Sequence, residues 1–359
     1  MAFLTRMLES GYVPDVIIRS AIRFLNRKRL ALERRGGVEA LSDHQRQFLA
    51  MLRQSPIAIM TDRANAQHYE LPPEFYQQVL GTHLKYSCCL FPTGKESLGE
   101  AEEAMLARTC ERADIRDGQE ILDLGSGWGS LTLWMAERYP GAKISAVSNS
   151  KSQRDFVQKC CKTRGIRNVS VFTADINEFA CLAAFDRVVS IEMFEHVRNY
   201  GRLLKNIASW LKPEGKLFVH IFCHGDYAYT FETNGEDNWM GRYFFSGGIM
   251  PSDDLLLHFQ DDLILEDRWR LDGTHYHRTA EHWLSNIDAR KMTVIPLLEQ
   301  TYGSKEAHIW FQRWRMFLMA CSELFAFRNG QEWRVAHYLF RKRRDESTRG
   351  EPKPAECAR

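Results

Sequence analysis

The sequence predicts an α/β fold, a parallel-rich sheet with helices on both faces, and three observations carry that expectation. From about residue 114 to 222, apolar runs of strand length alternate with stretches of helical periodicity. Within that span Glu120-Ile-Leu-Asp-Leu-Gly-Ser-Gly-Trp-Gly-Ser130 breaks from an apolar run into three glycines at alternate positions. It then resumes as Leu131-Thr-Leu-Trp-Met-Ala136, which suits a helix. Strand, tight turn and helix in that order open a nucleotide-binding half, because glycine admits positive φ and lets backbone approach a ligand closely.

Taken in order, the chain opens with helices. Residues 1 to about 55 carry apolar positions at helical spacing through Val16-Ile-Ile-Arg-Ser-Ala-Ile-Arg-Phe-Leu25, followed by Arg27, Lys28, Arg29, Arg34 and Arg35. This pattern suits the solvated face of a helical cap; the competing expectation is a basic amphipathic helix on a membrane surface. Five strands are expected next, at Glu120–Leu124, Lys143–Val147, Val169–Phe172, Phe185–Ile191 and Lys216–Phe222, the last after a turn at Lys212-Pro-Glu-Gly215. Ligands in such sheets sit beyond the carboxyl ends of the strands. That rule picks out Gly125–Gly129, Ser148–Gln153, Ala174–Ile176, Glu192–His196 and Cys223–His224. Residues 225 to 340 leave the winding; Trp310, Trp314 and Phe317 fall at i, i+4 and i+7 there and are expected to pack a core. The expected division is 1–110 as an N-terminal helical cap segment, 111–224 as ligand-binding core and 225–342 as the remaining sheet and helices. A charged tail, 343–359, is expected to be disordered.

Length and composition bound the function. A chain of 359 residues supports a full core, and a net charge of +2 gives no reason to expect nucleic acid, leaving amine and lipid substrates open. Nine cysteines include the adjacent pairs Cys88-Cys89 and Cys160-Cys161 but no C-x-x-C spacing, so neither zinc nor a disulfide framework is indicated. No stretch reaches the roughly 18 apolar residues of a membrane span. The opening Met1-Ala-Phe-Leu-Thr-Arg-Met-Leu lacks the apolar core and cleavage site of a signal peptide. A soluble, cytoplasmic protein with reduced thiols is expected, with a homodimer left open.

The glycine spacing carries more than a fold. G-x-G-x-G at Gly125, Gly127 and Gly129 differs from the dinucleotide pattern, whose last glycine falls one place later. It resembles motif I of the class I S-adenosylmethionine-dependent methyltransferases. That resemblance implies a Rossmann-like domain in which Asp123, Gly125 and Gly127 wrap the methionine part of the cofactor. Upstream, His68-Tyr-Glu-Leu-Pro-Pro-Glu-Phe-Tyr76 and Leu84-Lys-Tyr-Ser-Cys-Cys-Leu-Phe91 resemble the entry segment of the cyclopropane-fatty-acid synthase superfamily. This implies an N-terminal helical cap, C-terminal lid insertions, and Tyr86 and Ser87 over the cofactor. Strand two ends in Val147-Ser-Asn-Ser-Lys-Ser-Gln153, without an acidic residue, so amides and hydroxyls must take the ribose. Asn149 and Gln153 share a face if the helix starts at Ser150. This Asn-Ser-x-x-Gln form resembles the coclaurine N-methyltransferase branch of the superfamily. By the same resemblance Asp175 accepts from the adenine amino group, Ile176 lies against the ring, and Ile191 completes the cofactor set.

Ile191-Glu-Met-Phe-Glu-His196 sits where strand four ends, over the expected methyl position. If it enters a helix, Glu192 and His196 share a face, with Glu195 beside them. A metal set, a hydrogen-bonded structural set and an acid/base cluster facing the substrate compete for this stretch, and no further ligand pair has matching spacing for a metal. Methyl transfer from a sulfonium is an in-line displacement that needs a nucleophile with a free lone pair. An aliphatic amine, with an unperturbed pKa of roughly 10, is mostly protonated at neutral pH. A carboxylate can bind that ammonium and a neutral imidazole can take its proton, which suits Glu-x-x-Glu-His.

Together with Cys88-Cys89, Asn149 to Gln153, Phe259-Gln-Asp-Asp262 and Asn329-Gly-Gln-Glu-Trp333, this stretch resembles the coclaurine and pavine N-methyltransferase-like family from about residue 10 to about 343. The resemblance implies methyl transfer from S-adenosylmethionine to a small, benzylisoquinoline-like aromatic amine, releasing S-adenosylhomocysteine. Glu195 and His196 become the catalytic pair, with His196 as base. Glu192 steers the cation, aromatic residues including Trp333 wall the substrate, and Met240–Phe245 belongs to the lid. The alternative comes from the parent superfamily: methylation of an unsaturated lipid, with a proton lost to bound bicarbonate. Glu195, His196 and His224 can be matched to that arrangement. Cys321, in Met319-Ala-Cys-Ser-Glu-Leu-Phe-Ala-Phe327, becomes the counterpart of the synthases' late cysteine; its bland role is a small buried residue. Against the lipid, Glu192 places a charge where an acyl chain would enter. A cofactor-binding regulator without turnover, the remaining alternative, has no use for Glu192, Glu195 and His196.

Overall fold

Five parallel strands form where the apolar runs place them: β1 (Glu120–Leu124), β2 (Lys143–Ser148), β3 (Val169–Thr173), β4 (Phe185–Ile191) and β5 (Leu211–His224). The computed structural model describes residues 2–60, 71–181, 184–233 and 238–343; His68, Tyr69 and Glu70 of the entry segment and residues 344–359 of the tail lie outside the described residues. A short ribbon follows, β6 (Tyr229–Thr230) against β7 (Ile249–Met250), and then β8 (Leu263–Leu271) and β9 (Trp333–Lys342) return to the sheet. The sheet order is β3-β2-β1-β4-β5-β9-β8, with β9 antiparallel to both its neighbours. Lys212–Gly215 is no free turn but a bulge inside β5: Leu211 pairs with Phe185 and Lys216 with Arg187, so the residues between loop out. Glycine is needed in it, because a Cβ on Gly215 would stand 2.8 Å from the carbonyl oxygen of Phe185.

Helices cover both faces. On one, Leu106 of helix Leu98–Arg112 and Leu131, Trp134 and Met135 of helix Ser130–Arg138 pack on Ile121, Ile144 and Val189. On the other, Leu203, Leu204 and Ile207 of helix Tyr200–Trp210 meet Val188 and Val219, with Phe48 and Leu52 of helix Gly37–Gln54 in the same core. A third core joins helices Pro73–Val79, Thr274–Ala289, Lys291–Tyr302 and Ala307–Phe325. The aromatic stripe belongs to it. Phe244 stacks on Phe317 at 4.4 Å and meets Trp314 edge-on at 5.1 Å, while Trp310 stacks on Tyr302 at 4.1 Å.

The chain opens with helices Ala2–Glu9, Asp15–Glu33 and Gly37–Gln54. The basic helix Asp15–Glu33 docks by ion pairs: Arg19 reaches Glu281 (2.7 Å) and Glu323 (3.1 Å), and Asp15 receives Arg315 (2.7 Å). Val16, Ile17, Phe24 and Leu25 on it stay exposed. No helix among the described residues is long and apolar enough to cross a membrane.

The sheet order reverses between β1, which leads on to β2 and β3, and β4, which leads on to β5. Such a switch point opens a crevice at the carboxyl ends of the two strands. Gly125 follows β1 there and Glu192 follows β4.

Candidate active site

The turn after β1 depends on glycine. Gly125 (φ +91°) and Gly127 (φ +53°) are left-handed. A Cβ on Gly125 would lie 2.8 Å from the Met193 side chain, whereas one on Gly127 would meet nothing within 4 Å. The N–H groups of Gly125 and Ser126 both donate to Val147 O at 2.9 Å, folding the turn over the end of β2. Two cavities adjoin it, one with about 800 Å³ of empty space and one with about 620 Å³. Gly125, Gly127, Gln153 and Glu192 line both.

Most of the expected cofactor residues meet here. Asn149 and Ile176 line the larger cavity; Tyr86, Ser87, Asp123 and Ile191 line the smaller. Asp175 lines neither. Its Oδ1 accepts from the backbone N–H (2.7 Å) and side-chain amide (2.9 Å) of Asn177, which closes the turn after β3 and leaves Ala174 and Ile176 facing the cavity. The helix after β2 begins at Lys151 rather than Ser150, because the Ser150 hydroxyl caps it by accepting from Gln153 N. Asn149 therefore precedes the helix.

The polar atoms left over test the fit to S-adenosylmethionine. Gln153 Oε1 accepts from Ser148 Oγ (2.6 Å), so its amide nitrogen remains buried without a partner among the described residues, as do Ser126 Oγ and Ser130 Oγ. Asp123 is buried beneath the turn; burial pushes its carboxyl up to about 6, while Thr132 Oγ1 donates to it at 2.6 Å. A buried carboxylate, two hydroxyls and an amide without protein partners fit the amino-acid and ribose ends of that cofactor.

The stretch after β4 departs from its expected form. Glu192 takes a left-handed φ of +46°, and only a 3₁₀ turn, Phe194–His196, follows. Glu192 and His196 therefore share no helical face, although both line the larger cavity. Two donors hold the Glu192 carboxylate, Cys88 N–H at 2.9 Å and Tyr276 Oη at 2.6 Å, and the His220 ring lies 3.1 Å from its Oε1. Such over-determination sustains a backbone conformation that non-glycine residues avoid. Burial raises the Glu192 carboxyl above its ordinary value, against the opposing pull of Lys85. Lys85 Nζ itself donates to Ser87 Oγ and to Cys88 O.

His196 and Glu195 part company. Burial brings His196 down to about 4, so its imidazole is neutral at pH 7; the ring stacks on Phe245 at 4.8 Å. Glu195 is fully buried, lines neither cavity, and accepts the Phe222 N–H through Oε1 at 2.8 Å. Burial, with the charge of Glu192 added, holds the Glu195 carboxyl well above the usual carboxylate range.

Aromatic rings join the two ends of the site. Phe245 lies 5.6 Å from Phe222, Phe222 6.1 Å from Phe325, and Phe325 stacks at 4.3 Å on Tyr276, the donor to Glu192. A belt of rings thus runs from His196 to Glu192. Trp333 has no part in it: the side chain is fully buried in β9, donates to Tyr229 Oη at 3.1 Å and walls neither cavity. His224 shapes the turn after β5, its Nδ1 accepting the N–H groups of Asp226 and Tyr227 at 2.9 Å each. Cys321 is half-buried on helix Ala307–Phe325 and lines neither cavity. Burial and then the charge of Glu192 push its thiol up to about 12. Among the described residues no three His, Cys, Asp or Glu side chains are grouped to hold a metal ion.

Lys85, His220 and Tyr276 have no counterpart in the sequence expectations. For His220 a signal exists: it is a lone imidazole inside the apolar run Leu217–Phe222, as His337 is inside Val335–Phe340.

Residues 59–335 match the family described as mycolic acid cyclopropane synthetase. The chain is 38% identical over 344 residues to (S)-coclaurine N-methyltransferase of Thalictrum flavum subsp. glaucum, covering 95% of each chain. It is 35% identical over 350 residues to pavine N-methyltransferase of the same plant, covering 96% of this chain and 97% of that one. A crystal structure of coclaurine N-methyltransferase bound to N-methylheliamine and S-adenosylhomocysteine superposes with a TM-score of 0.92 at 38% identity, covering 95% of this chain and 99% of that one.

Proposed function

The chain belongs to the mycolic acid cyclopropane synthetase family, in its coclaurine and pavine N-methyltransferase-like branch, and is an S-adenosylmethionine-dependent methyltransferase; from that premise we propose that it methylates the nitrogen of a small, benzylisoquinoline-like aromatic amine. The observation that carries this reading is the Glu192 carboxylate, an acceptor held by Cys88 N–H and Tyr276 Oη with the His220 ring against it, lining the same cavity as His196. A carboxylate that lines the cavity suits an ammonium ion, which can donate a charge-assisted hydrogen bond to it. A lipid alkene offers neither a charge nor a hydrogen bond to repay desolvation of that carboxylate.

Tyr86, Ser87, Asp123, Gly125, Gly127 and Ile191 then hold the amino-acid side of the cofactor, and Asn149, Gln153 and Ile176 its adenosine side. When bound, S-adenosylmethionine supplies a methyl group already activated by its sulfonium. Glu192 receives the protonated amine, and His196, neutral and lining the same cavity, takes the proton. Burial in the site lowers the basicity of the amine, while the charge of Glu192 favours the cationic form of amine and imidazole alike. The freed lone pair attacks in line: the N–C bond forms, the C–S bond breaks with its electrons going to sulfur, and the proton leaves from His196 to solvent. Glu195 acts through position, fixing β5 at Phe222 behind the belt.

The test is release of S-adenosylhomocysteine with two panels in parallel, benzylisoquinoline and phenethylamine-type amines in one and unsaturated phospholipid vesicles in the other. Turnover on amines alone is expected. Turnover on lipid alone would overturn the reading in favour of cyclopropane-synthase chemistry, with Cys321 and bicarbonate as the next question.

A further inference from the structure

We propose that Arg112 and His337 are positioning residues that fix the ring tautomer of His220 and thereby keep Glu192 an anion. The proposal rests on the reading of Glu192 as the group that receives the amine.

Behind Glu192 a row of side chains crosses two strands. His220 Nε2 lies 3.1 Å from Glu192 Oε1, His337 Nε2 lies 2.9 Å from His220 Nδ1, and Arg112 Nη1 lies 2.9 Å from His337 Nδ1. The two histidines are direct partners in the β5/β9 register, and both are fully buried. Arg112 ends helix Leu98–Arg112, with its guanidinium 4.9 Å over the Trp269 ring, and Trp269 is the partner of His337 in the β8/β9 register.

Chemistry dictates the direction of every bond in the row. A guanidinium can only donate, so His337 Nδ1 must accept. A neutral imidazole has one N–H, so His337 donates through Nε2 to His220 Nδ1, and His220 through its own Nε2 to Glu192. Both rings are neutral at pH 7: burial first, then Lys85 and Arg112 at His220, and His220 and Arg112 at His337, push them well below the ordinary histidine range. Arg112, brought down to about 10 by burial, is still cationic at pH 7.

The reversed row shows what the arginine excludes. With no donor at His337 Nδ1, a protonated Glu192 could donate to His220 Nε2, His220 Nδ1–H to His337 Nε2, and His337 Nδ1–H to water. The proton of the amine would then rest on Glu192, leaving a neutral acid with no attraction for an ammonium. A donor that cannot accept, placed at the far end, excludes that row, so His220 keeps its N–H toward Glu192 and favours the charged form of the carboxyl. Glu192 is left with cation binding, and proton removal falls to His196.

The experiment is nitrogen NMR of histidine-labelled protein without cofactor or amine, with His220→Gln and His337→Gln used to assign the rings. Both rings are expected to carry hydrogen on Nε2 between about pH 6 and 8. Arg112→Met should give mixed tautomers and raise the KM for the amine about tenfold at unchanged cofactor affinity, and Arg112→Lys, again a donor only, should restore both. Nδ1–H or imidazolium in the unaltered protein, or unchanged tautomers in Arg112→Met, would overturn the proposal. If Arg112→Met does not fold, the spectrum of the unaltered protein still decides. Tautomers are read without substrate, so an amine panel that shows no turnover defeats the amine reading without touching this measurement.

Discussion

The two sides of the crevice are built by different means. On the cofactor side three segments each follow their own strand, Gly125 after β1, Asn149 after β2 and Ile176 after β3, while Tyr86 and Ser87 come from a segment ahead of the sheet. On the substrate side Glu192 is held by Cys88, His220 and Tyr276, which lie 104, 28 and 84 residues away along the chain. One grip is a matter of local strand–turn–helix geometry. The other depends on sheet register and on helices packed from distant segments, so it can vary while the first is kept.

The contrast can be broken most severely at Gly127. Valine there would project into open space beside the turn, so the fold survives at a strain cost of about 1–3 kcal/mol for the left-handed backbone. Cofactor binding, measured by calorimetry with S-adenosylhomocysteine, should be abolished; normal binding would undo the assignment of this turn. His196→Ala comes next. Turnover should fall by roughly 10²–10⁴ with cofactor affinity kept, and unchanged turnover would remove His196 as the base.

Glu192→Gln sharpens the comparison through pH. The carboxyl lies above its ordinary value, so it is charged above that pKa and neutral below it. The kcat/KM for the amine should therefore drop as pH falls through that raised pKa, and the variant should lose this acid limb along with about ten- to hundredfold in kcat/KM at neutral pH. His196, at about 4, adds no limb near neutrality. A limb that survived in the variant would belong to another group.

This division also explains what the sequence could reveal. The five parallel strands, the glycine turn and the Glu192–His196 stretch are written in short runs, where periodicity and turn chemistry act locally. Helical spacing failed for Glu192 and His196 because long-range donors turn the backbone at Glu192, which no local pattern reports. Trp333 resembles a wall residue until β9 places its side chain inside the core against Tyr229. Asp175 has the right spacing after β3, yet Asn177 two residues on claims its Oδ1. The pairing of His220 with His337 requires the β5/β9 register, and helices Thr274–Ala289, Lys291–Tyr302 and Ala307–Phe325 separate the segments they occupy.

The smallest expected effect tests the local side. Ser150 caps helix Lys151–Arg164 and keeps Gln153 at its first turn, facing the cavities. Ser150→Ala should cost about 1 kcal/mol of stability, read as a lower denaturation midpoint. Gln153 would remain tethered, since Ser148 Oγ still donates to its Oε1 at 2.6 Å, so cofactor affinity should weaken only slightly. The amine KM should not move at all, because nothing that holds Glu192 passes through this helix: its donors come from Cys88, from β5 and from helix Thr274–Ala289. A changed amine KM in Ser150→Ala would show that the two sides are mechanically joined and that the division drawn between them is false.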